Sequence, residues 1–502
     1  MICCAENQRK SMAIKPIKLT GEQKKVLFLP TTEPIQIKGV AGSGKTTVAL
    51  YRAKHLIDTH SDLFLETKVA IFTYNKTLVK YLKSLAPFVS GGYQKDSDEI
   101  NPTKPKGLDI FITNFHSWAY RFIESNDISL RGRLIDKNTQ QFVINDLKSK
   151  YSDYNISNKS DDFFIEEISW MKGKIFKTRE EYLEAKRIGR GTNDRITKAD
   201  KEIIWEIFSE YNIYLKNNNL VDFDDYALIS LDIIENNPNF IKPFSHIVVD
   251  EAQDLNKAQI LVITKLVADE TKSISILADA AQRIYKSGFS WSEVGLNVRG
   301  GRTIEFKKNY RNTVQIIKAA LSLLEKEDDK SEFTTVEAAR KGESKPILGY
   351  FSNWNEQCDF ILKELKQIAI DDDLSSTAIL HRRNGGLNQI TYFLQQNGYN
   401  SQIITKAEDI SFKDNILKVC TLSSVKGLEF DNVFIINLDE NVIPHPQGFV
   451  DEDDDFHIST ERRLLYTSMT RAREKLYLLS CSKPTRYLSE INKEYVEIID
   501  KR

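Results

Sequence analysis

The chain has 502 residues, of which 41% are hydrophobic and 28% are charged. This length is too great for one compact core and predicts roughly two to four domains. The composition is that of a globular protein and argues against a disordered or fibrous chain. The formal net charge is −1, so any nucleic acid would have to bind to a local basic surface.

Cysteine usage and hydropathy indicate in which cellular compartment the protein is expected. The five cysteines include no C-x-x-C pair, which argues against a zinc site or a disulfide framework and favours the cytoplasm. No apolar run reaches the ~18 residues that a membrane span requires. We therefore expect no membrane partner.

The first predicted unit is a strand, a glycine-rich turn and a helix. Residues 34–38 (PIQIK) have the pattern of a strand, and residues 47–57 (TVALYRAKHLI) carry apolar side chains at helical spacing. Between them, residues 39–46 (GVAGSGKT) match G-x-x-x-x-G-K-[ST], a loop whose backbone N–H groups bind nucleotide phosphates. The predicted nucleotide-binding residues here are Gly39, Val40, Ala41, Gly42, Ser43, Gly44, Lys45, Thr46 and Thr47.

Further along the chain, short β-branched runs alternate with helical stretches, which indicates an α/β fold with parallel sheets. The stretch between Tyr120 and Val221 lacks such runs and is polar, which predicts a helical insertion. Residues 91–107 are predicted to be a charged surface loop. The candidate strands form two sets of similar size, so we expect two α/β domains: residues 69–72, 110–112, 247–249 and 274–277, then 377–380, 417–420, 433–436 and 476–479.

An acidic sequence, DEAQD at residues 250–254, follows one of these strands and supplies what a metal–triphosphate needs. Hydrolysis of ATP requires phosphate binding, a Mg²⁺ ion, a positioned water molecule and cations for the developing charge. Lys45 would reach the β- and γ-phosphates, and Thr46 would offer its hydroxyl to Mg²⁺. Asp250 would hold the ion through its water shell, and Glu251 would polarise the attacking water.

One component is missing from the first domain, namely a cation on the far side of the nucleotide. A second α/β domain could supply it. Two arginines of the second half are candidates, Arg311 in KNYRN and Arg471 in MTRA. The cofactors expected for such a site are ATP and Mg²⁺.

A series of short sequences, in order along nearly the whole chain, resembles the motifs of UvrD/Rep/PcrA-type superfamily 1 DNA helicases. Besides the two nucleotide motifs, they are LTGEQ (19–23), FTYNK (72–76), TNFHS (113–117), DAAQRIY (279–285), NYR (309–311), KGLEFD (426–431) and ERRLLYTSMTRA (461–472). The resemblance implies two RecA-like P-loop NTPase domains. The first would comprise residues 1–120 and 221–300, interrupted by a helical 1B-like insertion at 121–220, and the second residues 301–502.

The resemblance also implies roles for single residues of the nucleotide site. Gln23 would read the adenine, Tyr310 would stack on it, and Glu429 would contact the ribose. Gln282 would sense the γ-phosphate. Arg311 and Arg471 would be the arginine fingers that stabilise the transition state.

DNA contacts follow from the same motifs, since single-strand binders stack bases on aromatic side chains beside cations. For Phe72 and Phe115 the alternative is packing in the core, and for His116 it is a hydrogen-bonded structural histidine. The predicted DNA-binding residues are Phe72, Tyr74, Asn75, Asn114, Phe115, His116, Tyr285 and Trp291.

One large element of the family is absent from this sequence. The family inserts a 2B domain in the second RecA-like domain ahead of motif V, but here only residues 384–420 lie between HRR (381–383) and Thr421. We therefore expect no 2B domain. Motif V also differs from the family pattern at Ser423 and Val425.

Two functions are compatible with these features. The first is an ATP-dependent helicase and translocase that moves 3′-to-5′ on single-stranded or tailed DNA. The second is a DNA-stimulated ATPase subunit of a bacterial phage-defence complex, which activates or feeds a partner nuclease and unwinds little by itself. RNA as the track is a third possibility.

Overall fold

The computed structural model describes residues 19, 21–60, 67–74, 76–89, 110–185, 196–279, 289–327, 336–371, 374–404, 415–445 and 455–502. The loop predicted at residues 91–107 and the site residues Asn75, Gln282 and Tyr285 lie outside these ranges. Among the helices that the structure describes, none combines the length and the apolar character needed to cross a bilayer.

The first sheet has six strands, all parallel, in the order β3-β2-β4-β5-β1-β6. Four of its strands are buried at almost every position, as expected for a parallel sheet covered on both faces. The strands are β1 Ile35–Gly39, β2 Val69–Thr73, β3 Ile110–Asn114, β4 His246–Val249, β5 Ser273–Ala278 and β6 Thr303–Phe306.

Nine helices accompany this sheet in the described part of the first half. They are α1 Lys45–His60, α2 Lys76–Val89, α3 Phe115–Glu124, α4 Lys137–Ser149, α5 Asp161–Lys174, α6 Arg179–Glu184, α7 Lys198–Asn217, α8 Asp225–Glu235 and α9 Lys257–Thr264.

Side chains along the central strands β2, β4 and β5 alternate between two hydrophobic cores. On β2, Ile71 points to the core shared with α1 and α2, whereas Ala70 and Phe72 point to the core shared with α3, α8 and α9. This follows from the two-residue period of a strand. The cores lie on opposite faces, so the carboxyl ends of the strands remain at the sheet edge and are available for a site.

Helices α4–α7 form a separate core of their own, which includes Ile144, Phe164 and Ile204. No strand lies between Tyr120 and Val221 in the described part of that stretch, which agrees with the predicted helical insertion. A buried ion pair attaches this unit to the first sheet's helices, because Lys172 Nζ on α5 lies 2.7 Å from carboxylates of both Asp222 and Asp225 beside α8.

The second sheet has seven parallel strands in the order β11-β12-β10-β13-β14-β9-β15. A small parallel pair, β7 Lys308–Thr313 and β8 Glu337–Arg340, lies outside it. The seven strands are β9 Ile347–Phe351, β10 Thr377–His381, β11 Ser401–Ile404, β12 Leu417–Thr421, β13 Phe430–Ile435, β14 Ala472–Ser480 and β15 Glu497–Lys501.

Helices cover both faces of the second sheet as well. One core contains side chains of α10, α13 and α14, and the other contains side chains of α11 and α12. The helices are α10 Val314–Leu323, α11 Trp354–Asp371, α12 Asn384–Gln396, α13 Asp455–Met469 and α14 Arg486–Glu490.

The two parallel sheets confirm the predicted fold class, and every predicted strand overlaps a strand of the structure. The strands not predicted from the sequence are the separate pair β7 and β8, and also β6, β9, β11 and β15, which lie at or next to sheet edges. Of these edge strands, β6, β11 and β15 are only partly apolar. Between β10 and β12 the described residues hold only helix α12 and strand β11. The domain boundaries assigned from the sequence remain a prediction.

Candidate nucleotide site between the two domains

The glycine-rich loop connects the end of β1 to the start of α1 at Lys45. Gly42 and Gly44 adopt positive φ angles of 68° and 82°, which other residues adopt at a cost in backbone energy. Gly42 is also a point of close approach, because a Cβ there would lie 2.6 Å from the side-chain oxygen of Asn309. The second half of the chain therefore packs directly against the phosphate loop.

The Lys45 side chain is buried and folded back over this loop. Its Nζ donates hydrogen bonds to the carbonyl oxygens of Gly39 at 2.9 Å and Val40 at 3.1 Å. It also pairs with Asp279 at 3.3 Å. Asp279 directly follows β5, the strand between β1 and β4, so the sheet order alone brings this carboxylate to the loop. The amino group of the lysine is thus held where phosphates would lie.

Asp250 follows β4 and places a carboxylate beside Thr46 at the start of α1. One of its oxygens accepts from the backbone N–H of Glu251 at 3.0 Å, and the Thr46 side chain also hydrogen-bonds to it. Its other oxygen, Oδ2, is buried without a hydrogen-bond partner among the described residues. Burial, followed by the charge of Glu251, raises the pKa of Asp250 to about 7. A buried, open carboxylate oxygen beside a threonine hydroxyl fits the oxygen ligands that Mg²⁺ prefers.

Glu251 is held in an unusual backbone conformation, with φ +54° in the left-handed region. Such strain is concentrated at functional sites. Burial tends to raise the pKa of this carboxyl, but the charges of Lys426, Lys45 and Arg471 outweigh it and hold the pKa below its usual value. The carboxylate therefore stays ionised and can accept a proton or orient a water molecule.

Both predicted arginine fingers lie at the domain junction. Arg311 on β7 forms an ion pair with Glu429, and its Cβ lies 2.7 Å from where a Cβ on Gly42 would be. Its Nε is buried without a partner among the described residues. Arg471 lies between α13 and β14 and is buried, whereas Arg311 is half-buried; burial, then the charge of Arg311, lowers the pKa of Arg471 to about 10. The Arg471 guanidinium therefore remains charged at neutral pH.

The residues predicted to contact the adenine also come together. Gln23 donates through Nε2 to the carbonyl oxygen of Ser43 at 2.8 Å, which attaches it to the phosphate loop. The hydroxyl of Tyr310 lies 3.3 Å from the position of a Cβ on Gly21, and the Tyr310 backbone N–H donates to Gly42 at 2.9 Å. Gln23 and Tyr310 thus lie beside the same loop, one from each half of the chain.

Lys426 is a site residue that sequence analysis quoted only as part of a motif. It forms a buried ion pair with Asp254 across the domain junction, and its Nζ lies 5.4 Å above the ring of Tyr74. It is also the first of the cations that lower the pKa of Glu251. The sequence KGLE (426–429) marked the position of this lysine. The neighbouring residues did not indicate that its partner would be Asp254.

The prediction that Phe72 and Phe115 stack on DNA bases is wrong. Both side chains are 0% exposed and belong to the core beneath β2 and α3. The Phe72 ring packs edge-on against Trp118, with centroids 6.0 Å apart. Because the two-residue period of β2 turns Phe72 inward, neither face of the ring is open to a base.

The other described residues that were predicted to contact DNA are half-buried, except Asn114, which is buried. Asn114 is buried and caps α3, accepting from Ser117 N–H at 3.0 Å. His116 is half-buried, and burial lowers its pKa to about 4, so that it is neutral at physiological pH. The half-buried Trp291 lies edge-on to Phe289 with centroids 5.6 Å apart. Tyr74 is half-buried beneath Lys426.

Phe223 is an exposed aromatic residue that sequence analysis did not select. Its side chain is 54% exposed and its ring centroid lies 5.4 Å from that of His116. Tyr120 is also exposed and packs near Tyr226, which contacts both His116 and Phe223. The only sequence signal was an aromatic residue within the polar run VDFDD. These residues form an aromatic surface (Tyr120, His116 and Phe223) beside α3 and α8.

A phosphate loop, a buried carboxylate pair and cations from a second parallel sheet define a P-loop NTPase site shared by two domains. Family models agree: the UvrD/REP helicase N-terminal domain matches residues 19–292, and the UvrD-like helicase C-terminal domain matches residues 304–412 and 400–483. The chain therefore belongs to the UvrD-like helicase family.

Curated relatives are similar at low identity. The ATP-dependent DNA helicase PcrA of Leuconostoc citreum is 24% identical over 398 residues, which cover 74% of this chain and 48% of that protein. PcrA of Staphylococcus aureus is 26% identical over 407 residues, covering 77% and 48%. A probable DNA helicase of Mycoplasma pneumoniae is 23% identical over 512 residues, covering 95% and 88%. The match thus spans about half the length of each of these PcrA proteins and most of the Mycoplasma protein.

The two aromatic environments predict effects of different size on stability. Phe72→Ala should lower the free energy of unfolding by about 3–5 kcal/mol, because it leaves a cavity in the core. Phe223→Ala removes an exposed ring and should change it by less than about 1 kcal/mol. Urea denaturation followed by circular dichroism measures both. Equal losses in the two variants would contradict this assignment of buried and exposed rings.

Proposed function

We propose that this chain is an ATP-dependent DNA helicase and translocase that moves 3′-to-5′ along single-stranded DNA. The observation that carries the proposal is the position of Arg311 and Arg471. Both belong to the second domain, yet the half-buried Arg311 lies against the phosphate loop of the first, and the charge of the buried Arg471 acts on Glu251. A nucleotide bound between the domains would therefore contact both domains. Its hydrolysis would change the attraction between the two domains.

The chemistry assigned to the site is phosphoryl transfer from ATP to water. Lys45 turns from Asp279 to the β- and γ-phosphates, while Glu251, kept ionised by its neighbouring cations, orients the water and accepts its proton. Arg311 and Arg471 stabilise the charge that develops on the transferred group. Thr46 and Asp250 would hold Mg²⁺, which neutralises phosphate charge when bound.

Base and sugar recognition are assigned to residues from both halves of the chain. Gln23 reads the adenine edge and Tyr310 stacks on its ring. Glu429 contacts the ribose, in exchange for part of its present ion pair with Arg311. Gln282 remains assigned to the γ-phosphate by family resemblance.

Movement would follow from the difference between the ATP state and the product state. ATP favours the closed junction because its γ-phosphate attracts both arginines, and loss of that phosphate removes the attraction. This is a population shift that arises from differential contacts. The aromatic surface beside α3 and α8, together with Tyr74 and Trp291, supplies stacking partners for unpaired bases. Asn75 and Tyr285 remain candidate DNA contacts.

The short connection between β10 and β12 favours a second candidate function. It holds one helix and one strand in its described part, at the place where helicases of this family insert a 2B domain. This favours a DNA-stimulated ATPase subunit that activates or feeds a partner nuclease in a phage-defence complex. RNA as the track remains a third possibility.

Unwinding of labelled duplexes by the purified protein separates these functions. A 3′-tailed DNA duplex should be unwound with ATP, and a matched 5′-tailed duplex should not. ATP hydrolysis stimulated by DNA without unwinding of either substrate would instead support the ATPase-subunit function, which a co-purifying nuclease would strengthen. Preference for a 3′ RNA tail would identify RNA as the track.

Lys45→Ala should abolish ATP hydrolysis, because the phosphates lose the cation that lies closest to them. Lys38→Ala is the control, since Lys38 is exposed one residue before the loop; its turnover should stay within about twofold. Phosphate release measures both. Wild-type turnover in Lys45→Ala would refute the site.

Arg471→Ala should lower kcat by roughly 10³-fold while weakening nucleotide binding far less, since an arginine finger acts mainly in the transition state. Arg471→Lys should not restore kcat, because an ammonium group lacks the planar fork of donors. Steady-state kinetics and titration with a non-hydrolysable ATP analogue give the two quantities. Equal losses in kcat and in affinity would argue against the assignment.

With saturating Mg²⁺, which would keep Asp250 ionised, the pH dependence of kcat should report the ionisation of Glu251. Three cations favour its charged form, so kcat should hold as the pH falls through the ordinary glutamate range and decline only below it. Lys426→Met removes one cation and should move this acid limb to higher pH. A profile identical to that of the unmodified protein would show that Lys426 does not act on Glu251.

A further inference from the structure

The backbone segments that carry the two predicted arginine fingers, Arg311 and Arg471, are joined by one buried side-chain amide. Asn312, the residue after Arg311, donates through Nδ2 to the carbonyl oxygen of Thr470 at 3.0 Å and also to that of Ala472. Thr470 and Ala472 are the residues on either side of Arg471. A single amide therefore holds the backbone before and after one finger and is itself next in sequence to the other.

A second amide fixes the orientation of the first. Asn309 accepts through Oδ1 from the backbone N–H groups of Arg311 at 2.9 Å and Asn312 at 2.8 Å. Its Nδ2 then donates to Asn312 Oδ1 at 2.8 Å. The amino group of Asn312 is left to face the two carbonyl oxygens, and it has two hydrogens to donate. Both amides are 0% exposed, and backbone groups of known polarity determine how each is turned.

The connection that contains Arg471 is short. Only Thr470 and Arg471 lie between the end of α13 and the start of β14. The carbonyl oxygen of Arg471 accepts from the Phe430 N–H at 3.0 Å. With Asn312 on the carbonyls before and after it, three successive carbonyl oxygens of this connection are held. The point from which the Arg471 side chain extends is thus fixed relative to Asn312.

A partly exposed residue, Arg340 on β8, joins the same two segments a second time. Its Nη2 donates to the carbonyl oxygens of Arg311 at 2.8 Å and Arg473 at 2.5 Å. Its Nη1 forms an ion pair with Glu474. Arg473 lies two residues after Arg471, so this guanidinium group supports the strand that follows the second finger.

We propose that Asn312 is a positioning residue of the ATP site, which ties the backbone of Arg471 to the segment of Arg311 so that the two fingers act as one unit. This inference rests on the proposed ATPase function. Arg311 lies against the phosphate loop at Gly42, and the shared support places Arg471 relative to the same loop. Misplacing a catalytic group by about 1 Å can lower a rate roughly 10²-fold.

Asn312→Ala in the full chain tests this inference. It should lower kcat for ATP hydrolysis by at least about tenfold, because the backbone on both sides of Arg471 loses its donor. Affinity for a non-hydrolysable ATP analogue should stay within about threefold, since a finger acts mainly in the transition state. Steady-state kinetics and titration give the two quantities.

Gln357→Ala is the matched control. Gln357 is a buried amide of the second domain that bonds to Asn437, accepting from its N–H at 3.2 Å. Asn437 lies beyond the carboxyl end of β13, whereas Arg471 lies at the other end of that strand, where Phe430 pairs with Ala472. Gln357→Ala should lower the melting temperature and leave kcat within about twofold.

A double-mutant cycle with Arg471→Ala separates positioning from structural support. On the Arg471→Ala background, Asn312→Ala should lower kcat by no more than about twofold further, because the finger that it positions is already gone. If Asn312→Ala does not fold, Arg340→Met replaces it, since Arg340 is partly exposed. That variant should lower kcat roughly fivefold in the unmodified background and by less than about twofold on Arg471→Ala.

Multiplicative losses in the cycle would overturn the inference and leave the ATPase function intact. A lower melting temperature with wild-type kcat in Asn312→Ala would do the same, because it would show a structural role only. An unmodified protein without ATPase activity would instead overturn the proposed function.

Discussion

The structure depends on opposite charges buried together where the two domains meet. The second domain contributes Lys426, Arg311 and Arg471, and the first contributes Glu251 and Asp254. Buried charges are tolerated only when they are paired, so the junction is stable only while these groups balance. A nucleotide would add negative charge at this point. The domain junction is consequently a place where phosphate chemistry can alter how the two halves are held together.

The parallel sheets explain why so many polar groups reach this junction. In a parallel sheet all strands end at the same edge, and here β1, β5 and β4 lie side by side. The phosphate loop, Asp279 and Asp250 follow these three strands in turn. Apolar side chains fill the cores on both faces and leave this edge for charged residues. Lys45 and Asp279 are therefore neighbours although they are far apart in the sequence.

Aromatic residues near the predicted DNA motifs either pack in the core or are candidates for stacking on bases. The direction in which each side chain leaves its strand or helix decides between the two. Phe72 and Phe115 pack inward and stabilise the first domain. His116, the next residue after Phe115, is half-buried at the margin of that core and meets the exposed Phe223. A difference of one position along the backbone thus separates a core residue from a candidate base-stacking residue.

Much of this protein follows from the sequence alone, because local patterns carry its chemistry. The GVAGSGKT loop, the apolar strand before Asp250 and the β-branched runs of both halves predicted the fold class and the placement of Lys45, Thr46 and Glu251. Tertiary structure alone decided the ion pairs between distant segments, such as Lys426 with Asp254 across the two domains and Arg311 with Glu429 within the second. It also decided which aromatic rings are buried. The reason is physical: strand and helix periods are local, whereas burial and charge pairing depend on segments brought together only by folding.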